Sequence, residues 1–266
     1  MHVTIAMLTY RRNEYLAQVI PHLLEQVAEF SGPNKSAGIL IIDNDPQGGA
    51  RAVVESAQEV EAAQMAERAK STGVAELPEV SRLAYVHEPE PGIVAGRNRA
   101  LDRAHGANAL VFIDDDEIPA PGWLTALVST WRSQGSAAVT GPTPPAFEAD
   151  PSPWVSASGA FDSWEAADGA RVRSADTGNL LLDLGRVRAL DLRFDPRYGL
   201  TGGEDSLFTR SLTLAGEEIR FAAGAVVDKR VPAQRARRDW VLRRAHRSGS
   251  TWARVRIDTA DRARTA

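Results

Sequence analysis

The sequence predicts an α/β fold with a mainly parallel, doubly wound sheet, and three observations support that prediction. Short apolar runs at 3–8, 39–42, 83–86 and 109–113 alternate with helical segments over the first 140 residues, a pattern typical of βαβ units. The 109–113 run does not alternate with polar residues, which indicates a strand buried on both faces. Polar residues close the first, second and fourth runs. We expect them to meet beyond the carboxyl ends of the strands, where open α/β sheets bind ligands.

Helical periodicity predicts the segments that connect these strands. The first helix is expected to begin with Asn13 as its N-cap and to be kinked at Pro21, which lies inside the pattern. Further helices are predicted over 51–70 and 93–104, and Pro121 is expected at the start of the helix that follows the fourth strand.

The second half of the chain has a different character. Residues 141–169 are rich in proline and contain Trp154 and Trp164, which either stack on a sugar or anchor the core. Short strands are predicted over 179–182, 219–222 and 225–227. A helix opens at Glu204, and a basic helix is predicted around Trp240.

Composition limits the class of protein. The chain has 266 residues, a net charge of −4 and no cysteine, so disulfides and thiolate metal sites are excluded. No signal-peptide pattern opens the sequence and no apolar run reaches the length of a membrane span, so we expect a cytoplasmic protein. From Lys229 onward there are 12 Lys or Arg against 3 Asp or Glu. Such a basic segment contacts an anionic ligand or forms a solvated helix face.

Three carboxylates follow the fourth strand directly. Asp114, Asp115 and Asp116 cannot enter a core unpaired, so we expect them where the strand leaves the sheet. Asp114 and Asp116 point to the same side of an extended chain. Two hard oxygen ligands suit Mg²⁺ or Mn²⁺; the alternative is an acidic turn that caps the next helix.

A second acidic motif is Gly202-Gly203-Glu204-Asp205. Two glycines allow a sharp turn or a close approach to a ligand. Acids in a first helical turn are also favoured by the helix dipole alone, so the motif by itself leaves a catalytic role and a helix start both open.

Taken in order, the motifs of this chain resemble those of family 2 glycosyltransferases with the GT-A fold, from about Val3 to about Gly249. The resemblance implies a Rossmann-like nucleotide-binding half, 1–140, merged with an acceptor-binding half that carries the catalytic base, 141–249, and followed by a basic tail, 250–266. The motifs are Thr9-Tyr10-Arg11-Arg12, Asp43, Gly92 with Ala95-Gly96-Arg97-Asn98, Asp114-Asp115-Asp116 with Pro119, Pro121 and Trp123, and Gly202-Gly203-Glu204-Asp205.

The resemblance also implies an activity: transfer of a sugar from a nucleotide sugar to an as yet unidentified hydroxyl acceptor, with inversion. Asp205, or failing that Glu204, would be the general base. Asp116 would be the most direct ligand of Mg²⁺ or Mn²⁺, with Asp114 as its partner. On the donor side, Thr9 and Asp43 would hold the base, which favours UDP, and Arg97 would hold a phosphate or orient the triplet. Tyr10, Arg12, Asp114 and Asp115 complete the expected donor site.

One residue departs from the family pattern. Lys229 stands where the family often has a metal-ligating histidine. A charged lysine cannot ligate a metal but can pair with a phosphate, so Lys229 is expected at the donor diphosphate, the alternative being a solvated loop lysine.

Two other functions compete with the glycosyltransferase reading. A sugar nucleotidyltransferase shares the sheet and the paired acids, but no glycine-rich phosphate loop follows the first strand. A non-catalytic nucleotide-sugar-binding protein is the other alternative. Binding of nucleic acid is disfavoured by the negative net charge. Whether the chain forms a homodimer is left open.

Overall fold

The computed structural model describes residues 1–72, 82–199 and 201–265. Within them, no helix combines the length and the apolarity needed to cross a bilayer. The strands are β1 His2–Thr9, β2 Ser36–Asp43, β3 Leu83–His87, β4 Ala109–Asp114, β5 Glu117–Pro119, β6 Ala138–Thr140, β7 Pro145–Phe147, β8 Arg171–Val172, β9 Asn179–Asp183, β10 Ile219–Phe221 and β11 Val227–Val231. The helices are α1 Asn13–Phe30, α2 Arg51–Thr72, α3 Ile93–Arg103, α4 Trp123–Gln134, α5 Pro153–Ala157, α6 Leu184–Ala189, α7 Glu204–Leu214 and α8 Arg238–Thr265.

A large sheet forms the centre of the molecule, with strand order β3-β2-β1-β4-β9-β6-β10-β8. Strands β3, β2, β1 and β4 are adjacent in the sheet and run parallel to one another. Strand β9 lies antiparallel between β4 and β6, and β10 is parallel to β6. The predicted α/β fold with a mainly parallel sheet is therefore confirmed, and strands from the second half of the chain extend the sheet that the first half begins.

Both faces of this sheet are covered, which is why its strands read as continuous apolar runs. Helices α1, α2 and α4 pack on one face and α3, α6 and α7 on the other. Alternation within β1 shows the division: Val3, Ile5 and Met7 face the first layer, and Ala6 faces the second.

A second, three-stranded sheet has the order β5-β11-β7. Asp115 and Asp116 form the turn between β4 and β5, so β5 begins directly after the acidic triplet. Strand β11 pairs with β5 antiparallel so that Lys229 is opposite Glu117. This small sheet therefore brings a cation from late in the chain to the end of β4. None of its three strands stands out in the sequence as a strand bordering the triplet, because each is too short to show a period.

The start of α1 differs from the prediction. Asn13 is its first helical residue rather than its N-cap; Arg12 occupies the cap position and makes no side-chain capping bond. The Asn13 amide instead donates to the Gly49 carbonyl at 2.9 Å, which ties α1 to the loop after β2. The tertiary contact takes the side chain that a local cap would have used.

Residues 250–265, expected as a basic tail, are the second half of α8. This helix packs against α7 through Val255, which is buried with Tyr198 and Leu207. The Tyr198 hydroxyl also donates to Asp258 at 2.9 Å. Helix α8 is therefore held against the element that begins with Glu204 and Asp205.

Candidate active site

A cavity of about 1250 Å³ opens beyond the carboxyl ends of β1 and β4, between the large sheet, α7 and α8. Its size exceeds that of an ordinary small-ligand pocket. The structure brings together almost every site residue that the sequence predicts, since the cavity is lined by Thr9, Tyr10, Arg12, Arg97, Asp114, Asp115, Asp116, Glu204, Asp205 and Lys229.

The acidic triplet is held by cations and a hydroxyl from other elements. Asp115 accepts hydrogen bonds from Thr9 Oγ1 at 2.9 Å and from Arg12 at 2.7 Å. Asp116 accepts from Arg12 at 3.3 Å and from Arg235 at 2.9 Å. Both carboxylates are buried; burial raises the pKa of Asp115, although Arg12 and Thr9 oppose that rise. These partners allow three acids to lie side by side.

Asp114 is the most open of the three, with 39% of its side chain exposed. Burial alone would raise its pKa, but the facing cations Lys229 and Arg97 hold the pKa of Asp114 below its usual value. Asp114 is therefore ionised and available to a ligand in the cavity.

Lys229 is partly exposed and pairs with the buried Glu117 next to Asp114. Lys229 Nζ donates to Glu117 at 2.6 Å and to Asp114 at 3.5 Å. Glu117 is fully buried, and burial together with the charge of Asp114 raises its pKa to about 8, against the opposing effect of Lys229. Burial would lower the pKa of Lys229, but the facing carboxylates of Glu117 and Asp114 outweigh it and raise that pKa.

Oxygens of Asp114, Asp116 and Glu117 lie within 4.8 Å of one another, close enough to share a metal ion. Glu117 already binds Lys229. Asp114 and Asp116 line the cavity, whereas Glu117 does not. They fit a divalent cation that takes its remaining oxygens from phosphate and water, which is how Mg²⁺ is commonly bound. That cation would compete with Arg12 and Arg235 at Asp116. It would compete with Lys229 at Asp114.

The second acidic motif gives its two acids different surroundings. Glu204 is buried and paired with Arg97, whose guanidinium also lies over the Phe194 ring. Asp205 is half-buried on the cavity wall, and its carboxylate accepts the Ser206 N–H at 2.6 Å. Asp205 is thus the acid that a substrate can reach, whereas Glu204 fixes Arg97.

Gly203 explains how the motif is placed. It precedes α7 with φ +90°, and a Cβ there would lie 2.0 Å from Thr251 Cγ2 of α8. Only glycine permits both the backbone conformation and the close approach of the two helices.

Asp176 is a cavity residue that the sequence analysis missed. Asp176 and Asp205 both line the cavity, and the charge of Asp205 raises the pKa of Asp176 to about 6, although Asp176 is exposed to the cavity. The sequence offered one signal for Asp176, a glycine two residues later. Gly178 packs against the Glu117 carboxylate so closely that a Cβ at this position would lie 2.4 Å from it. That contact is long-range, so the glycine had no visible meaning in the sequence.

Asp43 is the predicted site residue that the structure does not bring to the cavity. It is fully buried, and its oxygens accept the N–H groups of Asp45 at 3.0 Å and Ala50 at 2.8 Å and the Tyr85 hydroxyl at 2.9 Å. Its carboxylate shapes the loop after β2, and the next residue, Asn44, lines the cavity instead.

Helix α8 and the segment before it supply a wall that the sequence analysis did not assign to the site. Trp240 and Trp252 line the cavity from α8, and Trp240 stacks on Phe161 with ring centroids 5.5 Å apart. Four arginines line the same wall: Arg235, Arg244, Arg247 and Arg256. The spacing of these residues also fits a solvated basic helix, so only the packing of α8 on α7 identifies them.

Comparison with known proteins agrees with this geometry. The family model described as glycosyl transferase family 2 matches residues 4–181. The succinoglycan biosynthesis protein ExoM of Rhizobium meliloti (strain 1021) is 32% identical over 272 residues, covering 100% of this chain and 79% of ExoM.

Solved structures share the fold at low identity. The mannosyltransferase PcManGT from Pyrobaculum calidifontis, in complex with GDP-Man and Mn²⁺, aligns with a TM-score of 0.62 and 19% identity over 95% of this chain and 63% of its own. S. aureus TarS 1–349 in complex with UDP-GlcNAc aligns with a TM-score of 0.54 and 14% identity over 87% of this chain and 58% of its own. The chain thus spans less than two thirds of either solved chain, and the likeness confirms the GT-A fold.

Proposed function

Because the chain belongs to glycosyl transferase family 2, we propose that it moves a sugar from a UDP-sugar to an acceptor hydroxyl with inversion. The observation that carries this proposal is the placement of the acidic triplet and Asp205 on one cavity. A donor diphosphate at the triplet and an acceptor hydroxyl at Asp205 would then meet within one site.

The reaction is a single in-line displacement. Asp205 accepts the proton of the acceptor hydroxyl as its oxygen bonds to the anomeric carbon. The bond from that carbon to the phosphate oxygen breaks, and the nucleoside diphosphate leaves with the electron pair. Attack opposite the leaving group inverts the anomeric centre.

Asp114 and Asp116 would hold Mg²⁺ or Mn²⁺ beside the diphosphate. When bound, the metal supplies Lewis-acid stabilisation of the charge that develops on the leaving group. The carboxylate spacing supports this assignment, as does the Mn²⁺ named with GDP-Man in the PcManGT structure.

Lys229 would serve the same diphosphate as a fixed cation. Two of its three N–H donors are directed to Glu117 and Asp114, and the third is free to reach a phosphate oxygen because the side chain remains 33% exposed. The metal and Lys229 would then share the neutralisation of the leaving group.

The nucleoside would lie near Thr9, Tyr10 and Asn44. Tyr10 is half-exposed at the cavity and offers a ring face to the base. Asp43, predicted from the sequence to hold the base, would act through the loop that it orders. Arg97, predicted to hold a phosphate or orient the triplet, would orient Glu204 and the nearby Asp114.

The acceptor would be a saccharide in the assembly of a cell-surface polysaccharide. The relative at 32% identity is named for succinoglycan biosynthesis, and the exposed tryptophans Trp164 and Trp252 are of the type that stacks on sugar rings. Trp252 lines the cavity, which favours it over Trp164 as the acceptor contact.

The test combines binding and product analysis. Calorimetry should show that UDP binds more tightly than GDP or CDP, and equal affinities would overturn the donor assignment. With UDP-sugars, the product should be UDP and a glycoside of inverted configuration by NMR. Release of pyrophosphate from a nucleoside triphosphate and a sugar phosphate would instead establish the sugar nucleotidyltransferase alternative.

A further inference from the structure

Arg244 and Arg247 lie three positions apart on α8, a spacing that places them on the same side of the helix. Both line the cavity, as does Arg235 from the segment before α8. Arg235 donates to Asp116 at 2.9 Å, so this group of arginines extends from the acidic triplet along the opposite wall.

The other principal cations around the triplet and α7 have carboxylate partners. Arg12 pairs with Asp115, Lys229 with Glu117, and Arg97 with Glu204. Among the described residues, neither Arg244 nor Arg247 donates a hydrogen bond to a carboxylate; Arg244 instead lies over the Trp240 ring at 5.4 Å.

Arg244 lies among charges of both signs. Burial, together with the positive charges of Arg247 and Arg235, lowers the pKa of Arg244, although Asp176 and Asp116 oppose this. Adjacent guanidinium groups repel one another unless an anion lies between them. The two arginines are therefore suited to a ligand that carries its own negative charge.

We propose that Arg244 and Arg247, together with Arg235, bind the diphosphate of the nucleotide-sugar donor. This inference rests on the proposed function and adds to it a second set of cations for the leaving group. A guanidinium fork matches two phosphate oxygens, and two neighbouring forks match two linked phosphates. The proximity of Arg235 to Asp116 places this cluster beside the expected metal.

The arrangement has a consequence for catalysis. Cations on α8 stabilise the negative charge that appears on the diphosphate when the glycosidic bond to phosphate breaks. Because α8 packs against α7, the same helix would hold the leaving group at a fixed distance from Asp205. A diphosphate carried by an acceptor would satisfy the same chemistry, so the experiment must separate the two sources.

The experiment measures uridine, UMP and UDP affinities by calorimetry, with EDTA and with Mn²⁺, for wild type, Arg244→Gln, Arg247→Gln and the double variant. Arg243→Gln is the matched control, because Arg243 lies on the same helix, does not line the cavity among the described residues, and pairs with the exposed Asp239. Each cavity substitution should weaken UDP binding about tenfold, the usual scale of a charged hydrogen bond. Uridine affinity should not change, which also shows that the variants are folded.

Several results would overturn the inference. UDP binding in the double variant equal to that of Arg243→Gln would do so, as would an equal loss for uridine and UDP. If UDP binding is retained but inorganic pyrophosphate no longer binds the UDP-saturated protein, the cluster serves an acceptor diphosphate instead. A wild type that prefers GDP would contradict the proposed donor alone, and the arginine comparison would then be made between GDP and guanosine.

Discussion

At the scale of single residues, neighbouring carboxylates of the site have different roles because their contacts differ. Glu204 is buried against Arg97, whereas Asp205 faces the cavity. We expect Asp205→Asn to lower turnover by roughly 10²-fold or more, the scale of general-base catalysis, with donor affinity nearly intact. Steady-state kinetics and UDP calorimetry check this.

Glu204→Gln is the comparison: it should lower the melting temperature, because it leaves the Arg97 charge buried without its carboxylate. Loss of turnover in Glu204→Gln with normal turnover in Asp205→Asn would exchange the two roles.

Asp176 provides a second test at this scale. Its pKa is raised to about 6, mainly by the charge of Asp205. The folded protein therefore holds this proton more tightly than the unfolded chain, so the residue makes folding less favourable as pH rises from about 4 through 6. Asp176→Asn should raise the melting temperature at pH 7.5, and this gain should shrink as pH falls below about 4, where the residue becomes protonated in both states. A variant that melts below wild type at pH 7.5 would contradict this electrostatic reading.

At the scale of elements, the contact of α7 with α8 sets the position of the catalytic acid. Gly203→Ala would meet two obstacles: a φ of +90° and a Cβ 2.0 Å from Thr251 Cγ2. Gly202→Ala is a matched control, since Gly202 has a φ of +78° but nothing within 4 Å of its Cβ. The control should cost about 1–2 kcal/mol of unfolding free energy from backbone strain alone, and Gly203→Ala should cost more.

The additional loss of unfolding free energy in Gly203→Ala comes from the contact with Thr251 on α8. A second substitution on α8 should therefore reduce that loss. Thr251→Ala removes the methyl group that the new Cβ meets and should recover part of the stability of Gly203→Ala, as measured by urea unfolding. Equal costs for the two glycine substitutions would show that the close approach of the helices carries no weight.

At the scale of the whole molecule, the ion pairs around Lys229 connect the two sheets. Lys229 lies on β11 of the small sheet, while Asp114 ends β4 of the large one. Lys229→Ala leaves the buried Glu117 without the hydrogen bond from Lys229, which should destabilise the protein by roughly 1–3 kcal/mol. It should also weaken UDP binding in the absence of metal.

A second substitution separates these two effects. Lys229→Met with Glu117→Gln removes both charges of the pair, so much of the lost stability should return while UDP binding stays weak. Thermal melts and a Mn²⁺ titration of UDP affinity measure the two quantities. Recovery of UDP affinity together with stability would show that Lys229 acts only on the fold.

Local sequence was sufficient to predict the parts of this protein that depend on neighbouring residues. Uninterrupted apolar runs predicted β1 to β4, because strands buried on both faces need no polar residues. The abrupt change from β4 to Asp114 predicted the edge of a ligand site, because bare carboxylates cannot remain in a core. The order of the motifs was enough to recognise the family.

Tertiary structure decided what depends on residues far apart in the chain. Asp43 looked like a ligand group, but the loop after β2 and Tyr85 take up its oxygens. Lys229 was expected at the donor diphosphate or in a solvated loop, and the pairing of β5 with β11 places it against Glu117 at the cavity. For the basic segment from Lys229 onward, the sequence left open a contact with an anionic ligand and a solvated helix face. The packing of α8 on α7 brings its Arg244 and Arg247 to the cavity. Charge and burial at these positions are set by contacts across tens or hundreds of residues, which no local pattern in the sequence encodes.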